Sequence, residues 1–111
     1  MSVCARKEVV VNITKQKDGD RLTVLIEGAL DIRTAPDLSK ALEGELDDVR
    51  EVYFDLEGTS YTSSAGLRVL LKTFQVMEGK DGRMVLKNVN DDLYDVLKLS
   101  GFVDFLEIER D

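Results

Sequence analysis

In the stretch Val52-Tyr-Phe-Asp-Leu-Glu-Gly-Thr-Ser-Tyr-Thr-Ser-Ser-Ala-Gly-Leu67 two periodicities meet. Up to Leu56 the apolar residues Val52, Phe54 and Leu56 alternate with Tyr53 and Asp55, the period of a strand with one buried face. From Ser63 onward Leu67, Leu70, Leu71, Phe74 and Met77 recur at helical spacing, and Gly79 supplies a stop. A strand that runs through a polar loop into a helix of this length is half of a βαβ unit and implies a parallel neighbour.

The flanks continue the alternation. Arg83 to Lys87 is short and apolar in its middle, which predicts the next strand. Asn90-Asp-Asp92 then caps a helix carrying Leu93, Val96 and Leu97, Gly101 ends it, and Phe102 to Glu109 is expected as a last strand. Upstream, Glu8 to Thr14 and Arg21 to Gly28 are rich in valine, isoleucine and leucine, and Lys17-Asp-Gly-Asp20 supplies an Asp-Gly turn between two paired strands. A helix from about Thr34 to Glu45 follows, with Thr34 as N-cap, Pro36 in the first turn and Asp37 completing a capping box. Ala35, Leu38 and Leu42 share its apolar face, whereas Glu43 and Glu45 oppose the helix dipole. The expected fold class is α/β, a mostly parallel sheet of about five strands flanked by helices, three of them predicted. With 111 residues and no linker, repeat or low-complexity tract, one domain spanning 1–111 is expected.

Composition narrows the function. A net charge of −7 opposes a nucleic-acid or anionic-membrane surface, because phosphates are held mainly by lysine and arginine. The chain contains no histidine, which removes Ser-His-Asp triads, phosphohistidine carriers and most zinc sites. Cys4 is alone, so neither an intrachain disulfide nor a cysteine metal cluster forms, and Cys4 is expected to be inert. No stretch approaches the ~20 apolar residues of a membrane span, and no leader pattern opens the chain. A cytoplasmic protein without cofactor or metal, not an enzyme and acting through protein partners, is expected.

Hydroxyls crowd the start of the second helix: Thr59, Ser60, Tyr61, Thr62, Ser63 and Ser64, followed by Ala65-Gly66. Helix capping explains one or two of them. The small pair after them would let a partner approach the backbone.

At these residues the chain resembles the STAS domain of anti-sigma-factor antagonists. The resemblance is carried by Leu25-Ile-Glu-Gly-Ala-Leu-Asp31, by the stretch from Val52 to Leu67, and by Leu97-Lys-Leu-Ser-Gly-Phe102. It implies phosphorylation of a serine that precedes a second serine, glycine and leucine and follows an aspartate. Aligned on Gly66-Leu67, the acceptor is Ser64, with Ser63 as the second candidate; Ser63 then stands at the aspartate position and Ala65 at that of the second serine. The resemblance also implies that the unphosphorylated form binds an anti-sigma factor with serine kinase activity, freeing a sigma factor, and that a metal-dependent serine phosphatase resets the switch. Partner contacts are expected at Asp31, Ser63, Ala65, Gly66, Leu67 and Arg68, with Asp31 alternatively an ordinary capping residue and Arg68 a solvated charge. The family's additional C-terminal helix is expected to be missing after the last strand, and with it a partner surface built there.

Rival readings remain open. Asp55 and Lys87 fall roughly where a receiver domain builds an aspartyl-phosphate site, but Val9-Val-Val-Asn-Ile13 offers no acidic pair for magnesium. A STAS adaptor subunit of a transporter or signalling assembly would keep the fold and use Ser63 and Ser64 as caps alone. The acidic run Glu43 to Asp48 reads as a solvated face.

Overall fold

The computed structural model describes residues 11–110, so Cys4 and the start of the first expected strand lie outside the described residues. The elements are β1 (Asn12–Asp18), β2 (Arg21–Leu30), α1 (Ala35–Leu42), β3 (Glu51–Asp55), β4 (Thr59–Thr62), α2 (Ser64–Gly79), β5 (Arg83–Val89), α3 (Asp91–Leu99) and β6 (Glu107–Arg110). The main sheet runs β1-β2-β3-β5-β6; β1 is antiparallel to β2, and the remaining pairs are parallel.

From β2 onward each crossover moves to the next strand in the same direction. Right-handed connections taken repeatedly in one direction put every helix on one face of the sheet. The side chains agree. Leu22, Val52 and Met84 stand in one row and Val24, Phe54 and Leu86 in the next. All six are buried in one cluster with Leu38 and Leu42 of α1, Leu67 and Leu70 of α2, and Leu93 and Leu97 of α3.

The opposite face is sealed by its own charges. Arg21 pairs with Glu51 at 3.0 Å, and Arg83 makes two bonds to Glu107 at 2.8 and 2.9 Å. That bidentate contact lowers the Glu107 pKa and raises that of Arg83. Between them the Tyr53 ring lies under Arg21 at 4.6 Å and accepts a bond from Arg83 at its hydroxyl. Asp55, at the end of β3, accepts from the Glu57 amide and the Asn88 side chain, which ties the turn after β3 to β5.

Three expectations need correction. First, the sheet contains a sixth strand, β4, in the segment expected to be loop; β2 is long enough to pair with β3 along Arg21–Leu25 and with β4 along Gly28–Leu30. Second, α1 stops at Leu42 rather than Glu45. The acidic run beyond it is drawn to β1, through Glu45 to Lys15 at 3.1 Å and Asp48 to Lys17 at 2.5 Å, so it is not wholly a solvated face. The carbonyls of Leu46, Asp47 and Val49 all accept from the Lys80 ammonium at the end of α2. Third, Phe102–Asp104 forms a 3-10 helix before β6, not the start of a strand. Gly101, at φ 82°, turns the chain out of α3, and Phe102 and Leu106 are buried beneath that turn.

Candidate functional site

The hydroxyl run divides into separate tasks. Thr59 and Thr62 are buried, and Thr59 Oγ1 donates to the Ile26 carbonyl at 2.8 Å, so these two belong to the packing of β4. Ser60 and Tyr61 face outward. A polar strand bonded to the end of β2 therefore accounts for hydroxyls that capping could not.

Ser63 is the N-cap of α2. Its backbone is extended, its Oγ accepts from the Ala65 amide at 3.2 Å, and its carbonyl receives the first helical bond, from the Leu67 amide. Its own amide donates to the Leu30 carbonyl at 2.7 Å, which fixes the start of α2 against the end of β2. Ser64 is the first helical residue and exposed, and its hydroxyl makes no hydrogen bond among the described residues. Capping is thus done by one serine, and the neighbouring one is left available.

The residues after Ser64 differ in exposure. Gly66 is buried: a Cβ there would run into Thr62 Oγ1 and lie 2.9 Å from Leu30 Cβ. Its missing side chain lets α2 sit down on β2 and β4 and does not open the backbone to a partner, contrary to expectation. Leu67 is buried too, at 8 %, so its contribution to a surface is the edge of a hollow. That hollow, about 260 Å³, is lined by Ser64, Leu67, Arg68, Leu71, Ser100 and Phe102. Ala65 is half-buried and Arg68 exposed, one turn beyond Ser64.

Asp31 caps its own loop. Its Oδ1 accepts from the amides of Arg33 at 2.9 Å and Thr34 at 3.1 Å, and its Oδ2 from the Arg33 guanidinium. The Arg33 amide bond is the main reason the carboxyl titrates below its ordinary value. Thr34, expected as the cap, makes no side-chain cap bond to α1. Its hydroxyl donates to the Ala29 carbonyl at 2.7 Å and accepts from the Asp31 amide, because the tight turn after β2 uses it first. Asp31 bonds nothing near Ser64; the two loops are joined through backbone, from Ser63 to Leu30.

Two exposed apolar residues flank this end of the molecule and escaped the sequence reading. Ile32, 78 % exposed, lies in the turn beside Asp31, and Leu99, 89 % exposed, ends α3 beside Ser100. The signal for Leu99 was its place off the Leu93–Leu97 stripe of α3; Ile32 has no periodic neighbours and could be read only as an apolar residue in a polar turn. No group of three or more carboxylate or cysteine side chains among the described residues is placed to hold a metal ion. No helix among them is long and apolar enough to cross a membrane.

Comparison with known proteins gives these features a family. The anti-sigma-B factor antagonist of Listeria monocytogenes is 31 % identical over 99 residues, covering 86 % of this chain and 85 % of that one. An anti-sigma factor antagonist from Mycobacterium paratuberculosis, at 19 % identity, superposes with a TM-score of 0.83 over 92 % of this chain and 87 % of that one. A murine anion transporter of the solute carrier 26 family contains the same fold, with a TM-score of 0.78 at 12 % identity, covering 99 % of this chain and 22 % of the transporter. The STAS domain model matches residues 12–111, nearly all of the described fold, and the chain belongs to the STAS domain family.

Proposed function

We propose that this protein is an anti-sigma-factor antagonist whose unphosphorylated form binds an anti-sigma factor with serine kinase activity, in the cytoplasm, and so releases a sigma factor. Phosphorylation of Ser64 ends the binding, and a metal-dependent serine phosphatase restores it. The observation that carries the reading is the division of labour at the start of α2: Ser63 caps, and the exposed Ser64 hydroxyl is uncommitted. The Listeria relative bears the antagonist name across most of both chains, which favours this over the transporter-subunit reading.

The switch works on the surface. A phosphate of about −1.5 to −2 charge at the first helical position meets free amides and the positive end of the macrodipole, so the fold tolerates it. A partner seated over Ser64 and the hollow lined by Leu67 and Phe102 meets a hydrated dianion where it had a small neutral hydroxyl. Incubation with the cognate kinase and ATP, followed by mass spectrometry, is expected to place the phosphate on Ser64. Phosphate on Ser63 or Thr62 alone moves the site, and no phosphate at all removes the switch. Ser64→Ala is expected to bind permanently and Ser64→Asp to bind weakly.

A further inference from the structure

Two hollows adjoin on the helix side of the molecule. One, about 280 Å³, runs from Ile32 and Pro36 to Arg68; the other, about 150 Å³, continues to Val76. Ser39, Val69 and Lys72 line both, so the two form a single trough between α1 and α2. Along α2 it extends from Ala65 to Val76, about 16 Å or three turns at the rise of an α-helix.

The trough has an apolar floor, a basic rim on α2 and one carboxylate, Glu43, at the α1 side of its far end. Val69 is half-buried on the floor, while Ile32 and Val76, 78 % and 49 % exposed, mark its two ends. Arg68 and Lys72 stand exposed on α2, and neither forms an ion pair among the described residues. In a chain of net charge −7, two neighbouring unpaired cations beside an apolar groove form a local field of the opposite sign.

We propose that this trough receives one amphipathic helix of the anti-sigma factor, its apolar ridge lying on Val69 and Val76 and its acidic side chains facing Arg68 and Lys72. The inference rests on the antagonist reading and extends it to the far end of α2. A helix fits better than a strand because the trough lies between two helices, where a third packs ridge into groove, and the sheet's edges, β1 and β6, lie elsewhere. Acidic flanks follow from the rim. The trough begins at Ala65, next to Ser64, so a phosphate there would stand at its mouth and repel the same acidic helix that the rim attracts.

The test is calorimetric titration of the full chain with its cognate anti-sigma factor, using Lys72→Gln, Lys72→Glu, Val76→Asp and, as a control of equal charge change to the first, Gln16→Glu on β1. All sites are exposed, and circular dichroism checks that each variant is folded. Lys72→Glu and Val76→Asp are expected to weaken binding about tenfold, Lys72→Gln about threefold, and Gln16→Glu not at all. The Lys72→Glu deficit is expected to shrink as salt is raised. Wild-type binding unaffected by both Lys72→Glu and Val76→Asp overturns the trough and leaves the antagonist reading standing. Loss with Gln16→Glu equal to that with Lys72→Gln also overturns it, as does a wild-type dimer that Val76→Asp dissolves, which would assign the trough to a second copy. A wild-type protein that does not bind the anti-sigma factor removes the antagonist reading and this inference with it.

Discussion

Ser63→Ala and Ser64→Ala are chemically the same change at adjacent residues, and their effects should separate completely. Ser63 Oγ satisfies the Ala65 amide at 3.2 Å, a long bond, so its loss belongs at the lower end of the usual N-cap range, about 0.5–1 kcal/mol. In a domain of 111 residues that lowers Tm by about 2–4 °C, or the urea midpoint by about 0.3–0.5 M at a slope near 2 kcal/mol/M. The Ser64 hydroxyl bonds nothing among the described residues, and alanine is a better helix former than serine, so Ser64→Ala should leave stability unchanged within about 0.5 kcal/mol. Phosphorylation runs the other way. Under the cognate kinase with ATP, Ser63→Ala should still take up one phosphate and Ser64→Ala none. Urea unfolding followed by circular dichroism and intact-mass spectrometry reads both properties on the same samples. If Ser64→Ala is the destabilised variant, or if Ser63→Ala is the one that loses the phosphate, the assignment of cap and switch is wrong.

Gly66→Ala should destabilise by about 1 kcal/mol, because about 1–3 kcal/mol of overpacking against Leu30 Cβ outweighs the helix-propensity gain of up to about 1 kcal/mol. A urea midpoint equal to or above wild type would contradict the close packing of α2 on β2. Asp31→Asn should lower stability at neutral pH. The folded-state pKa of Asp31 is depressed, so its contribution is full above the ordinary carboxyl range near about 3.9 and is lost as pH falls through the depressed value. The gap between wild type and Asp31→Asn in urea midpoint should therefore close below about pH 4; a gap that widens there would reverse the sign of the argument. Lys80→Met keeps the aliphatic stem but leaves the Leu46, Asp47 and Val49 carbonyls without their ammonium, at a cost of about 1–3 kcal/mol. Hydrogen exchange at the amides of residues 46–49 should accelerate by more than global destabilisation accounts for.

The elements with one buried stripe were legible in the sequence. Val52, Phe54 and Leu56 fall on a strict period of two, and Leu67, Leu70 and Met77 on the helical period, so β3 and α2 appear where expected. β4 did not, because its two inward residues are Thr59 and Thr62. Their hydroxyls are satisfied by backbone carbonyls, and nothing apolar marks the burial. The same physics hid the turn that leads into α1. Asp31, three residues before Thr34, reaches forward to two amides of the turn, and the sequence offers no way to rank one oxygen against the other. For the site, residue types placed Ser64 at the start of a helix. Which serine caps depends on backbone conformation: Ser63 is extended and Ser64 already helical.

The position of Ser64 follows from strand pairing more than from any side-chain contact. Because β2 continues past the end of β3, its last residues are free to bond β4, and the bond from the Ser63 amide to the Leu30 carbonyl is the last rung of that ladder. The turn that carries Asp31 and Ile32 begins at the next residue. One backbone ladder therefore sets the distance between the two loops, and Ser64 stands at its end. On the other face of the sheet Arg21, Glu51, Arg83 and Glu107 satisfy one another around Tyr53. A partner gains little by desolvating charges already paired in this way. The helix side instead presents Ile32, Leu99 and the rims of α2 with apolar atoms and cations uncommitted. Same-direction crossovers thus place the exposed Ser64 hydroxyl at the start of α2 and the unpaired Arg68 and Lys72 on the helix face of the sheet. On the proposed reading a phosphate on Ser64 would act on the contact directly, without any change of fold having to carry its effect.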